Sequence, residues 1–288
     1  MLKQRVITAL VLLAVLLPAL FYSTPTPFCA VALVLIAAGG WEWGRLNGCG
    51  QGLSGLLAFG CVVLCSASWY FGLLEKPLPA LWLVAGAVWV LAGGWLLRQG
   101  VIGWPRISKV VRLLGGVVAL WLAWLAVAQA RVLGIDFLLS VLSLVWVADI
   151  AAYAAGRTFG GKFTRSRLAP AISPGKSWEG VWGGMAGVVV LSLLWLALDG
   201  VKASAGASSV FTGSLYTRLW AQHGAVVMLV AVVFLAAMSV VGDLVESLIK
   251  RSAGVKDSSG LLPGHGGVLD RVDALLPTLP LALMLVNF

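Results

Sequence analysis

The stretch Ala225–Arg251, AVVMLVAVVFLAAMSVVGDLVESLIKR, decides how the chain must be read. It runs uncharged for eighteen residues to Gly242, close to the ~20 mainly apolar residues that carry a helix across a bilayer. Then its character changes. Asp243, Glu246, Ser247 and Lys250 fall at i, i+3, i+4 and i+7, which on an α-helix is a single stripe. Leu244, Val245, Leu248 and Ile249 cover the other faces. A solvated helix end would show the same spacing, but here the stripe runs on into a charged segment. From Ser247 to Asp273, SLIKRSAGVKDSSGLLPGHGGVLDRVD, the cations Lys250, Arg251, Lys256, His265 and Arg271 interleave with Asp257, Asp270 and Asp273 among glycines. Such a mixture suits a metal ion and a polyphosphate, and the segment reads as an active site.

Similar apolar runs start near Val6, Phe28, Leu53, Leu78, Leu113, Phe137 and Val181, and a shorter ninth, Ala274 to Phe288, is weakened by Pro277 and Pro280. With 60% hydrophobic and 11% charged residues and a mean hydropathy of +1.00, the 288-residue chain has too little charge for a soluble domain of its size. The expected fold is all-α: a polytopic integral membrane protein of about nine transmembrane helices. It forms a single membrane domain, residues 1–288, with N-terminal spans over 1–132 and catalytic spans and loops over 133–288. With the N-terminus inside, the inner segments hold 16 of the 20 Lys and Arg residues; the outer loops hold Lys76, Arg131, Lys202 and Arg218. That bias predicts a cytoplasmic N-terminus, a cytoplasmic-facing site in the C-terminal half, and a multi-pass location in the cell (inner) membrane.

The net charge of +9 is accounted for by topology and anionic head groups. Nothing suggests nucleic acid, because the aromatic residues lie in spans rather than among basic loops. Trp104–Arg112 reads as a short interfacial helix. Met1 to Pro27 reads as a retained first span, since no A-x-A-like site follows at Tyr22-Ser23-Thr24. Cys29, Cys49, Cys61 and Cys65 read as packing residues.

Polar groups inside apolar runs need a reason. Asp149 lies in the sixth run, where a mid-span carboxylate costs ~2.5–3.5 kcal/mol on insertion scales; Tyr153, one turn on, is placed to donate to it. The loop from Gly156-Arg157 to Ser173-Pro174-Gly175-Lys176-Ser177-Trp178-Glu179-Gly180 is basic and glycine-rich. Gly175-Lys176-Ser177 resembles the end of a P-loop, but Pro170 stands where that pattern needs glycine. What remains is a loop able to offer backbone N–H groups and Lys176 to a phosphate. Gly264-His265-Gly266-Gly267 fits no dinucleotide fingerprint; its glycines allow close approach of a ligand to the backbone. His265 alone is a weak metal ligand and suits a phosphate better.

The segment reads S-x-I-K-R-x4-K-D-x-S-x2-L-P-x-H-G-G-V-x-D-R-V-D from Ser247 to Asp273. This resembles the signature of the phosphatidate cytidylyltransferase (CDP-diacylglycerol synthase) family, without departure. Asp149-x3-Tyr153, Gly156-Arg157 and Ser173–Gly180 resemble a second block of that family. The resemblance spans the chain but is specific after Trp146; the first four spans look generic. It implies transfer of a cytidylyl group from CTP to phosphatidic acid, giving CDP-diacylglycerol and pyrophosphate, with Mg²⁺ alone or with a second cation as cofactor. It also implies a lipid-bilayer setting and is compatible with a homodimer.

By the same resemblance Asp243 and Asp270 are the metal ligands, with Asp149, Glu246, Asp257 and Asp273 as further candidates. Lys250 and Ser247 complete the catalytic set with Asp243, Asp270 and Asp149. Arg251, Lys256, His265, Gly266, Gly267 and Arg271 line the substrate phosphates. Arg157 and Lys176 meet the nucleotide or the lipid phosphate. A CTP-dependent polyprenol kinase is the enzyme alternative and would release CDP. An ion-coupled transporter would relay protons through Asp149, but transporters show broken helices in both halves, and here the conspicuous polarity lies in the second half.

Overall fold

The computed structural model describes residues 2–204 and 213–287; Met1, residues 205–212 and Phe288, the last residue of the expected ninth span, lie outside the described residues. The helices are α1 (Leu2–Phe21), α2 (Thr26–Leu46), α3 (Gln51–Tyr70), α4 (Pro79–Gly103), α5 (Lys109–Leu133), α6 (Ile135–Phe159), α7 (Trp178–Ser204), α8 (Leu215–Ser252), α9 (Leu269–Val272) and α10 (Leu275–Val286). Among the described residues there is no named strand, only two isolated bridges. Eight helices, α1 to α8, are long and apolar enough to cross a membrane. Leu10, Phe59, Leu91 and Leu194 are each at least 60% exposed on them. In water such an apolar surface would drive association; against hydrocarbon it is the surface a spanning helix needs. Inside, Trp82, Trp124, Phe137, Leu138 and Leu235 form the core, where Trp82 Nε1–H donates to Gln129 Oε1 at 3.0 Å and Trp124 Nε1–H to the Cys29 carbonyl at 3.1 Å.

Two expectations need correcting. The ninth segment is not a span as described: α10 has twelve residues, ~18 Å at 1.5 Å per residue, against a ~30 Å hydrocarbon core. It is buried between α4, α5 and α8 rather than facing lipid. It starts beside Gly242, where an added Cβ would come within 2.5 Å of the Asp273 carbonyl oxygen and 2.8 Å of Pro277. It ends near the start of α8, where Gln222 donates to the Val286 carbonyl at 3.3 Å. The last ten residues of α8, Asp243 to Ser252, therefore run ~15 Å beyond the level where α10 begins, and the charged segment fills the place beside them.

The basic stretch Trp104–Arg112 is likewise not one helix. Trp104–Arg106 is a 3₁₀ turn; the chain extends at Ile107, and Ser108 then caps α5, accepting from Val111 N–H at 3.4 Å. A serine cap followed by Lys109 starts a spanning helix.

The tightest packing places the second half of the site. Gly183, Gly184 and Gly187 of α7 meet Ala155, Ala148 and Ala151 of α6; a Cβ at Gly183 would lie 2.2 Å from that of Ala155. Small residues facing one another let two backbones close up, the usual device where lipid supplies no hydrophobic drive. The α6–α7 loop is thus held at the end of the bundle where α8 leaves it. Lys176–Asp243 and Arg251–Ile172 contacts join the two.

Candidate active site

The polar stripe on α8 points inward. Glu246 and Lys250 are 5% and 9% exposed, and Leu244, Val245, Leu248 and Ile249 are buried too, so this is no solvated helix end. Its residues divide between two carboxylate centres.

Asp243 holds the first. Its Oδ2 lies 2.5 Å from Lys176 Nζ, reaching across 67 residues from the α6–α7 loop, and its Oδ1 accepts from Ser247 Oγ at 3.3 Å. The loop is braced for this by Glu179, whose Oε1 accepts from the N–H groups of Phe163 (3.1 Å) and Thr164 (2.8 Å) and from the Thr164 hydroxyl (2.8 Å). Ser177 Oγ accepts from Gly180 N–H at 3.2 Å, closing the first turn of α7. Asp273 lies near. Burial pushes its carboxyl up to about 7, with repulsion from Asp243 and Asp149 adding to it, while the Ala274 N–H and Lys250 oppose. Three carboxylates thus share one neighbourhood in which, among the described residues, Lys176 bonds Asp243. Tyr153 does not turn to Asp149 as the spacing suggested: its hydroxyl accepts from Arg157 Nη1 at 3.1 Å.

Asp270 holds the second centre. Its Oδ1 accepts from Lys250 Nζ at 2.6 Å, and Glu246 also pairs with that ammonium. Its Oδ2 accepts from Ser258 N–H (2.9 Å), Ser258 Oγ (2.9 Å) and Gly267 N–H (2.7 Å). Burial would raise the Asp270 carboxyl, but Lys250 and the N–H groups of Gly267 and Ser258 hold it below the usual carboxylate value.

The glycines of the Gly264-His265-Gly266-Gly267 run are required by neighbouring protein atoms, and Gly264 and Gly266 also line a cavity. A Cβ at Gly266 would sit 2.6 Å from Asp270 Oδ2, and one at Gly267 would sit 2.4 Å from Glu42 Oε1. Gly264 and Gly266 also take positive φ, 77° and 82°, which glycine alone adopts freely. The tight turn they form, with Leu262 N–H donating to Gly266 O at 2.8 Å, borders a cavity of about 360 Å³. Lys256, Asp257, His265 and Arg271 line it, joined by Arg5 from α1. On the same helix Thr8 donates to the Pro263 carbonyl at 2.8 Å, so α1 packs on the turn.

Two expected phosphate ligands stand differently. Arg251 is a strut, donating to the carbonyls of Ile172 (3.4 Å) and Val255 (3.3 Å), and Arg157 is exposed with its guanidinium on Tyr153. The residue sequence reasoning missed is Glu42, fully buried in α2 and bonded to the charged segment. The rule that singled out Asp149, a carboxylate inside an apolar run, applies equally to it.

As they stand, no three acidic, histidine or cysteine side chains among the described residues converge at ligand distance. The donors that gather are nonetheless all carboxylate oxygens, the set a hard divalent cation takes, and the repulsion around Asp273 is what such a cation relieves.

Residues 3–288 match the model of the Cytidylyltransferase family. The chain is similar to the phosphatidate cytidylyltransferase of Pseudomonas aeruginosa, 38% identical over 97% of this chain and 95% of that protein. It is also similar to that of Haemophilus influenzae, 35% identical over 97% and 96%. With the one from Brucella suis it shares 37% identity over 67% of this chain and 60% of the relative.

Proposed function

The chain belongs to the Cytidylyltransferase family, and from that premise we infer that it transfers the cytidylyl group of CTP to phosphatidic acid, forming CDP-diacylglycerol and pyrophosphate. The observation that supports this most directly is the Ser247–Asp273 segment folded against α8 below the end of the bundle, its cations and carboxylates lining a cavity of about 360 Å³. A phosphate oxygen of phosphatidate attacks the α-phosphorus of CTP. The new P–O bond forms as the bond to the bridging β-phosphate oxygen breaks, and pyrophosphate leaves. The attacking oxygen is already deprotonated on a group carrying about −1.5 to −2 charge, so no general base is required. The difficulty is repulsion between two anions, and positioned positive charge answers it.

Lys256, His265, Arg271 and Arg5 are assigned to the triphosphate, and Lys176 and Lys250 to charge developing on the reacting phosphates. Asp243 and Asp273, with Asp149, would hold Mg²⁺; Asp270 would join when Lys250 turns to a substrate phosphate. Bound there, the ion would supply charge neutralisation at the phosphoryl oxygens. Its presence, a second cation, a homodimer, the inner membrane and a cytoplasmic N-terminus are parts of the proposal. The Lys and Arg distribution supports the last.

Purified protein given CTP labelled at the α-phosphate, phosphatidate and Mg²⁺ should place label in the lipid and release pyrophosphate in equal amount. Release of CDP with no cytidine in the lipid would replace this reading with a kinase.

A further inference from the structure

Glu42 lies on α2, 216 to 227 residues from the groups it bonds, and its side chain is fully buried. Oε1 accepts from Ser259 Oγ (2.6 Å) and Val268 N–H (2.8 Å). Oε2 accepts from Leu269 N–H (2.8 Å) and lies 3.1 Å from Ser258 Oγ, whose one proton it shares with Asp270. The donors come from both ends of residues 258–269, so one carboxylate clamps the turn closed. Ser258 Oγ stands between Glu42 and Asp270; Gly267 lies too close to Ser258 and Glu42 for a side chain, and Gly266 too close to Asp270. Asp270 follows directly on this clamped backbone, and its two oxygens then meet Lys250 and the amides of Ser258 and Gly267.

We infer that Glu42 is a positioning residue of the cytidylyl transfer. From the second helix it sets the arrangement of residues 258–269 in which Asp270 meets Lys250 and the nucleotide cavity keeps its shape. It touches no substrate. The inference rests on the reading of this segment as the transfer site. The chemistry demands an acceptor-only group: a glutamine would turn an NH₂ toward donors and leave about two of the four bonds unmade, whereas aspartate keeps both oxygens but is one methylene short.

The test compares Glu42→Gln and Glu42→Asp with the full-length wild type in detergent, following thermal melting, amide exchange over residues 256–272, and liponucleotide formation at varied CTP and Mg²⁺. Glu42→Gln should fold and raise exchange over 258–269 at least ~10-fold, a local opening. It should lower kcat/KM for CTP at least ~30-fold, with aspartate recovering part of the loss. Unchanged exchange at 258–269, or activity lost only in proportion to folded protein, would overturn the inference. Should Glu42→Gln fail to fold, Ser258→Ala with Ser259→Ala removes the two hydroxyl donors and leaves Glu42 in place. Faster loop exchange with a raised KM for CTP would support the clamp; wild-type exchange and kinetics would refute it. If the wild type itself makes no liponucleotide, the functional reading fails, while exchange still decides whether Glu42 holds the loop.

Discussion

Asp243 and Asp270 are both carboxylates bonded to a lysine, yet their surroundings differ in kind. Asp270 spends both oxygens on protein: Lys250 on one, two amides and a hydroxyl on the other. Asp243 receives one lysine from a loop and one serine at 3.3 Å, with Asp273 and Asp149 adding like charge nearby. A carboxylate with all its partners fixes its surroundings; one with fewer keeps lone pairs available to a ligand. Within a single motif, Asp270 is thus held on both oxygens by protein, and Asp243 far less so.

The largest effect is expected at Asp270. Asp270→Asn leaves Lys250 buried with half its partners and faces N–H groups with an NH₂, so stability should fall by ~3–5 kcal/mol, the cost of breaking a buried pair. Activity should fall with it, and melting in detergent beside label transfer reads both. Asp243→Asn should lower kcat at least ~100-fold while melting stays within a few degrees, because the lost charge serves the transition state. If the two variants behave alike in melting, the division between centres fails.

Asp149 sharpens the open side. Asp149→Asn should keep thermal stability and lower liponucleotide formation ~10-fold or more. A fully active Asn variant would remove Asp149 from the site. The smallest effect is a slope with pH. Asp273 is raised from an ordinary ~3.9 to about 7, so its contribution to metal-free stability is present at low pH and lost as pH rises through about 7. Between these values the wild type should melt progressively lower, and Asp273→Asn should flatten the curve.

Much of this could be read from residues alone. The eight spanning helices follow from apolar run length, and the α8 stripe from i, i+3, i+4, i+7 spacing, since both are local properties of one helix. What escaped was set by contacts between distant segments. Glu42 is the first acidic residue of the chain, but which donors it meets depends on a loop 216 residues away. The glycines after Gly264 looked like room for a ligand because sequence shows only that a side chain is absent, not what fills the space. The extended backbone at Ile107 and the Ser108 cap divide what composition presents as one basic amphipathic stretch.

The half-length of α10 has a further consequence. Its twelve residues lie between α4, α5 and α8, and the charged segment sits against α8 beyond them, so the site is a well floored by α10. Highly charged phosphates bound there need no path through the bundle. The two products then part by phase: pyrophosphate returns through the mouth to water, and the liponucleotide, held by its chains, leaves along the leaflet. Reversal needs both to meet again in the same well.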